Sequence, residues 1–433
     1  MKIFQQTKDY IQKRITISEI SGSLGDMGTL LPIVVSLSKK KVININSAIF
    51  FGGLFNIIVG VCFDTPLPVQ PMKTVSSAAI AGNLNSKSLM TSGFLASVII
   101  LFLGITNLVT FVMKFIPGYL IASLQMGQGL NFIIQGVKMI QGLNNWTDKN
   151  SYITTIVFGS MILITWLPWK NNYKNKYLNI FSKIIQSLPV ALILFLIGAI
   201  YSITDLKKSY KFTITNPFID AYKDLTFDDF KEGFLKGTIA QVPLTLLNSV
   251  ISVVDLNNRL FPERPTSVNY MAYSVGLMNI VGVWFGSMPN CHGSGGLAGQ
   301  YRFGARSGLA IIMLGICKIL ISIFLGNVIL DIISVFPNSI LGLMIIVCGG
   351  ELAGRGSDVK IEEPLIYAIV VGIIVTTDLY TGFIVGFVIN VILMSMDKFN
   401  NKFQLPLLEN ENPNENQSQS QLETRRNVIE ACC

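Results

Sequence analysis

Apolar runs of membrane-crossing length follow one another along most of the chain, separated by short polar breaks. In the first half they cover about 18–38, 46–63, a short 68–82, 90–113, 116–142, 151–168 and 184–203. A polar stretch, 205–230, carries both charge signs and divides the chain. The second half offers about 232–255, 268–286, a short 289–304, 307–330, 332–350, 364–378 and 380–396. A bilayer crossing takes about 20 apolar residues, so the pattern predicts an all-α polytopic membrane protein with about 14 (12–14) transmembrane segments. Residues 399–433, rich in Asn, Gln, Glu and Ser, read as a disordered cytoplasmic tail.

The pattern repeats. GLFNIIVGVCF at 53–63 returns as GLMNIVGVWF at 276–285, and FIPGYLI at 115–121 returns as VFPNSIL at 335–341. The chain thus divides into a first membrane repeat (1–204), a polar inter-repeat loop (205–230), a second repeat (231–398) and the tail (399–433). Seven spans per repeat is an odd number, so the two copies insert with opposite orientation, as in the inverted repeats of secondary transporters. Loop charges agree with cytoplasmic termini: Lys114, the Lys170–Lys183 loop, Arg259 and Arg264, Arg302 and Arg306, Arg355 and Lys360, and Lys398 and Lys402 fall on one side. Lys39, Lys40 and Lys41 fall on the other, against the rule.

Composition removes the main alternatives. Of 433 residues, 51% are hydrophobic and 13% charged, about half the charge of a soluble domain, which excludes a cytosolic enzyme. The net charge of +8 lies in loops and termini without interleaved aromatics, so it predicts no nucleic-acid partner. Six cysteines form no disulfide framework, and with one histidine they lack metal-site spacing. GSGGLA at 293–298 fits a dinucleotide pattern only formally, since the strand and soluble helix that such a loop joins are missing. Neither catalytic residues nor a cofactor or metal is expected. Cys432 and Cys433 form a candidate lipid acceptor, and small-xxx-small pairs recur too widely to mark the face of a homodimer.

Two short segments break membrane rules in corresponding places. DTPLPVQPMKTVSS (64–77) has three prolines, a Gln and a Lys; SMPNCHGSGGLAGQYR (287–302) has four glycines and the single His. Irregular backbone persists at membrane depth only inside protein or along a cavity, and a matched pair of such breaks points to a transport site. Each reads as an extended piece followed by a half-helix, the two half-helices meeting mid-membrane. Their N-termini present free N–H groups and about half a positive charge each, which with Lys73 suits a compact dianion. The candidate substrate-binding residues are Gln70, Lys73, Thr74, Cys291, His292, Gly293, Ser294, Gly295, Gly296 and Gln300. Lys73 alternatively pairs with Asp26 or Asp64 as an internal strut. Asp26, an acid in the apolar first span, and His292 are candidates for proton coupling in a symporter, and His292 equally for holding helices together.

Three stretches, SGSLGDMGTLLPIVVSL (21–37), CFDTPLPVQPMKTVSSAA (62–79) and MPNCHGSGGLAGQYRFGARSG (288–308), are similar to the signature stretches of the molybdate transporter family, a branch of the sulfate permease superfamily. The resemblance covers about residues 18–395. It implies a multi-pass permease for molybdate, with sulfate or tungstate as the related oxyanions, and a site between the third and tenth spans. It also implies a core domain (spans 1–4 and 8–11) moving against a gate domain (5–7 and 12–14). The family's signature positions fall on Asp26, Gln70, Lys73, His292, Gly293, Gly295, Gly296 and Gln300. The regulatory domain that ends the superfamily's sulfate carriers is not expected here.

The sequence therefore predicts alternating-access transport of molybdate in an unspecified membrane. Alternatives are a sulfate carrier of the same architecture, a nucleobase or bicarbonate carrier, and an anion-binding membrane receptor or scaffold.

Overall fold

In the computed structural model the described residues are 14–404, apart from 81, 115, 142–151, 167–181, 183–187, 206–213, 220–222, 327 and 358–360. The tail from 405, part of the inter-repeat loop, the Lys170–Lys183 loop, Lys360 and Cys432–Cys433 lie outside them. Helices dominate. The first half of the chain holds α1 (Ile17–Ser23), α2 (Met27–Lys39), α3 (Ile45–Phe63), a two-residue strand β1 (Gln70–Pro71), α4 (Lys73–Ile80), α5 (Ser86–Ile105), α6 (Leu108–Met113), α7 (Gly118–Gln141), α8 (Tyr152–Trp166) and α9 (Val190–Asp205). The second holds α10 (Phe227–Leu260), α11 (Val268–Gly282), β2 (Asn290–Cys291), α12 (Ser294–Arg302), α13 (Gly308–Leu325), α14 (Ile329–Ser334), α15 (Asn338–Ser357), α16 (Pro364–Thr376) and α17 (Leu379–Gln404). By contacts the chain forms a large unit, residues 1–383, and a small one, residues 384–433. The site described below lies within the large unit.

Local chemistry sets these limits. Asn44, Asn85 and Ser267 accept hydrogen bonds from first-turn N–H groups and so start α3, α5 and α11. Asp64 ends α3 in the left-handed region at φ 50°. Pro243 lies inside α10 between two π-helical stretches, Phe234–Thr238 and Thr245–Ser252, because a ring without an N–H cannot sustain the regular ladder.

The apolar runs are more divided than the sequence predicts. The first expected span breaks at Leu24–Asp26, where α1 and α2 meet at a 40° bend. The run 90–113 breaks at Asn107, whose φ is 57°, between α5 and α6. Among the described residues four helices, α3, α5, α10 and α13, are long and apolar enough to cross a membrane, and the bent α1–α2 pair makes a fifth. Apolar helices of 10–17 residues lie at 153–165, 190–204, 338–354, 364–376 and 381–396.

The two sequence halves interlock. α3 packs along α13, α5 along α11 and α7 along α15. An offset of about 220 residues carries α3 to α11 and α5 to α13, so the first two pairs exchange and the third maps onto itself. The seams are built on glycine. A Cβ at Gly53 would lie 2.6 Å from the Gly315 carbonyl oxygen, and one at Gly136 2.5 Å from that of Gly342. Only backbone-to-backbone contact fits there, the packing available to helices that gain nothing from excluding water. Buried Phe51, Phe55, Ile100 and Met271 fill one core, and Leu30, Val34, Ile340 and Met344 another.

Gly53→Ala is expected to destabilise by about 1–3 kcal/mol through overpacking. Gly52→Ala, whose Cβ meets nothing within 4 Å, is expected to be neutral or slightly stabilising. Thermal unfolding of the purified variants in detergent, read side by side, checks the pair.

Candidate functional site

The two rule-breaking segments lie side by side. Each is an extended piece entering a short helix, and the extended pieces pair as antiparallel strands, Gln70 with Cys291 and Pro71 with Asn290. Met72 N donates to the Pro289 carbonyl at 2.9 Å, extending the pairing. Asn279 of α11 braces the second piece, its side chain donating to the Asn290 carbonyl and accepting from the Asn290 N–H.

His292 holds the pieces together. Its Nδ1 lies 2.9 Å from the Pro68 carbonyl, which only accepts, so Nδ1 carries the proton and Nε2 accepts from Ser274 of α11 at 2.9 Å. Both nitrogens are engaged by protein. Ser274 also lines an apolar groove of about 750 Å³ between α3 and α11.

α10 reaches both half-helices. Gln241 Oε1 accepts from the N–H groups of Thr74 and Val75 at 3.0 and 3.2 Å, capping α4. Seven residues on, within the second π-stretch, Asn248 Oδ1 accepts from the Ser294 hydroxyl at 2.8 Å. No side chain caps α12 at Gly293. The two helix ends are therefore unequal: protein occupies donors of α4, while those of α12 stay open among the described residues.

Unpartnered polar groups gather beside that open end. Gln70 Nε2 and Lys73 Nζ are both buried and without a hydrogen-bond partner. Gln70 packs so closely on Gly293 that any Cβ there would collide with its amide nitrogen. Lys73 Nζ stands 4.1 Å above the Phe132 ring of α7, and the same ring fills the side-chain space of Gly295. Asp26 Oδ1 occupies the corresponding place at Gly296, 2.8 Å from where a Cβ would sit. The three glycines thus admit Gln70, Phe132 and Asp26 to the helix end.

Asp26 sits in the α1–α2 break, 2% exposed, hydrogen-bonded by the Thr29 hydroxyl, which also lies 3.3 Å from Gln70 Oε1. No ion pair forms between Lys73 and Asp26 among the described residues, although each feels the other's charge. Asp64 forms no strut to Lys73 either: it pairs with Arg14 at 2.7 Å and with Arg264 at 3.7 Å. Cys291 is buried, its thiol directed to the Pro71 carbonyl. Gln300, in the last turn of α12, is buried with both amide atoms unpartnered.

Thr29, Phe132, Gln241 and Asn248 were not among the sequence candidates. Gln241 and Asn248 were detectable as two amides seven residues apart in an apolar span, hence on one face. Phe132 carries no such signal, being one of 27 phenylalanines.

A family model described as "Molybdate transporter of MFS superfamily" matches residues 18–132 and 233–352, stretches that contain every element of this cluster. The chain belongs to the molybdate transporter family. Molybdate transporter 2 of Arabidopsis thaliana is 34% identical over 372 residues, covering 80% of both chains. Molybdate transporter 1 of the same plant is 31% identical over 415 residues, 90% of this chain and 91% of that one. The fold is similar to the transmembrane domain of a cyanobacterium bicarbonate transporter, BicA, with TM-score 0.52 and 14% identity over 87% of this chain and 96% of that one. The family indicated by the three sequence stretches is borne out, and this molybdate transporter family member is an integral, multi-pass membrane protein.

Gln241→Ala is expected to cost about 0.5–2 kcal/mol by uncapping α4. It should lower the unfolding temperature in detergent by several degrees, and an unchanged melt would show that the cap holds nothing.

Proposed function

We propose that this protein is a secondary transporter that carries molybdate across a membrane, binding it where Gln70, Lys73 and the open N-terminus of α12 converge. One observation carries the reading: buried donors without acceptors, Lys73 Nζ and Gln70 Nε2, beside an uncapped helix end. Burying an unpaired ammonium costs about 2.5–3.5 kcal/mol on insertion scales, so the group needs a partner in its working state. A tetrahedral oxyanion offers acceptors in every direction and no donors. The charge fits as well, about +0.5 from the α12 dipole and +1 from Lys73 against a dianion. The names of the two plant relatives support molybdate as that anion.

In this reading the chain crosses the membrane fourteen times as two inverted seven-span repeats with cytoplasmic termini. α4 and α12 are half-helices meeting mid-membrane, and a core rocks against a gate around them. Phe132 and Cys348, which touch α12 from α7 and α15, are the gate-side contacts. Thr74, Ser294 and Cys291 serve the framework of the site, and His292 positions it. Asp26 is the acid through which protons couple to transport.

Labelled molybdate uptake into liposomes containing the purified protein tests the proposal, with excess sulfate as competitor. Uptake resistant to sulfate is the expected result. Block by equimolar sulfate would make the protein a sulfate carrier, and binding without flux would make it a receptor. Lys73→Ala is expected to insert normally and to raise KM about tenfold or more, since a hydrogen bond to a charged group contributes about 1.5–3 kcal/mol. Unchanged kinetics in that variant would remove Lys73 from the site.

A further inference from the structure

One hydroxyl at the site has more acceptors than protons. Thr29 stands in the first turn of α2, 5% exposed, and its Oγ1 reaches three oxygens: Asp26 Oδ1, the Asp26 carbonyl at 3.0 Å and Gln70 Oε1 at 3.3 Å. A hydroxyl has one proton to give and two lone pairs to receive with. The carbonyl already accepts from the N–H groups of Thr29 and Leu30 at 3.1 Å, so Asp26 Oδ1 and Gln70 Oε1 are the competitors. Neither has another donor among the described residues. An aspartate before a helix ordinarily accepts from first-turn N–H groups, but Asp26 makes no such bond to α2 and takes the Thr29 hydroxyl instead.

The other end of the Gln70 amide faces α12. Nε2 has no partner and fills the side-chain space of Gly293 at the uncapped helix start. The two ends of an amide have the same shape, so the polarity of Thr29 decides which one points to α12. With Asp26 ionised, the carboxylate takes the hydroxyl proton and Thr29 offers Gln70 a lone pair. The amide then turns its NH2 to Thr29 and its oxygen toward the anion. With Asp26 protonated, the carboxyl group donates to Oγ1 and the hydroxyl proton swings to Gln70 Oε1. Nε2 then faces the anion, the arrangement the structure holds. The hydroxyl only rotates and keeps its proton. The charges acting on Asp26 are Lys73 of α4 and Lys318 of α13, whose Nζ donates to Asn56 of α3 at 2.8 Å, and the thiols of Cys291 and Cys348 also lie around it. None of these four bonds to the carboxylate among the described residues.

We infer that Thr29 is a positioning residue that reads the protonation of Asp26 and turns the Gln70 amide to donate to the oxyanion. Proton and dianion then favour each other's binding by the same factor, as symport requires. This inference rests on the transport reading, in which Gln70 meets the anion and Asp26 takes the proton.

The experiment is calorimetric titration of the purified full chain with molybdate at about pH 5.5 and about pH 8, on either side of a carboxyl group raised by burial. Wild type is expected to bind more tightly at the acid pH. Thr29→Val keeps the shape and loses the hydroxyl. It is expected to raise Kd about fivefold to tenfold at the acid pH, the size of one neutral hydrogen bond. At the alkaline pH, where the hydroxyl turns Gln70 against the anion, the same change should leave Kd unchanged or lower it. Thr29→Ser should restore the wild-type pattern at both. In Gln70→Ala, adding Thr29→Val should change Kd less than about twofold at either pH, because the amide it acts through is gone. Thr29→Ala must repeat the pattern if the Val variant does not fold. An equal loss at both pH values, or a full loss in Gln70→Ala, makes Thr29 a packing residue and overturns the inference alone. Wild-type affinity that does not rise toward acid pH removes Asp26 from coupling and this inference with it. No molybdate binding by wild type at either pH sinks the transport reading itself.

Discussion

A backbone N–H or carbonyl facing hydrocarbon without a partner costs several kcal/mol, and this constraint orders the centre of the protein. Two proline- and glycine-rich segments cannot be helical, so each must find its partners elsewhere. They find them in one another. The β1–β2 pairing, the Met72–Pro289 bond, the Asn279 brace and the His292–Pro68 bond are answers to a single requirement. None of these bonds needs substrate. Together they hold the starts of two short helices beside each other, one capped by Gln241 and one left open.

The unequal treatment of the two helix ends follows from the register of that pairing. Gln70–Cys291 and Pro71–Asn290 are related by the offset of about 220 residues, which makes Lys73 and Gly293 equivalent positions. The first repeat therefore supplies the charge and the second the bare backbone. A symmetric arrangement would bury two lysines, or none. α10 serves both halves, Gln241 reaching α4 from the α-helical turn that holds Pro243 and Asn248 reaching α12 from the second π-stretch. A helix kept regular past Pro243 would lose a hydrogen bond there and present these amides differently.

Much of this was legible because its cause is local. Proline and glycine at membrane depth declare a break, and a second copy of the pattern about 220 residues on declares its partner. Lys73, Gln70 and His292 stood out as polar groups in apolar surroundings. The interruption at Leu24–Asp26 was hidden, since SLGDMG has no proline and its neighbours continue the apolar run. Phe132 and Thr29 were hidden for another reason. They matter only through what the fold brings to them, an ammonium in one case and the Asp26 carboxylate in the other. Lys318 was readable, a charge in the middle of an apolar run, but without the structure nothing linked it to Asn56.

The ring of Phe132 has a consequence for the proposed cycle. It lies against Lys73 and Gly295 at once, so it covers the full positive charge and the uncapped helix end with a single side chain. A face of π-electron density is a weak substitute for an anion: it stabilises the ammonium by about 0.5–2 kcal/mol and offers the helix N–H groups little. In the proposed reading such a contact is weak enough for a dianion to displace. In that reading displacement would move Phe132 away from α12, and with it α7, whose glycines pack it against α15. Because α15 also meets α12, through Cys348 against Gly299, substrate entry in that reading would loosen both contacts. In the proposed reading, binding and opening are then one event, and rearrangement of the gate need not wait for a separate signal.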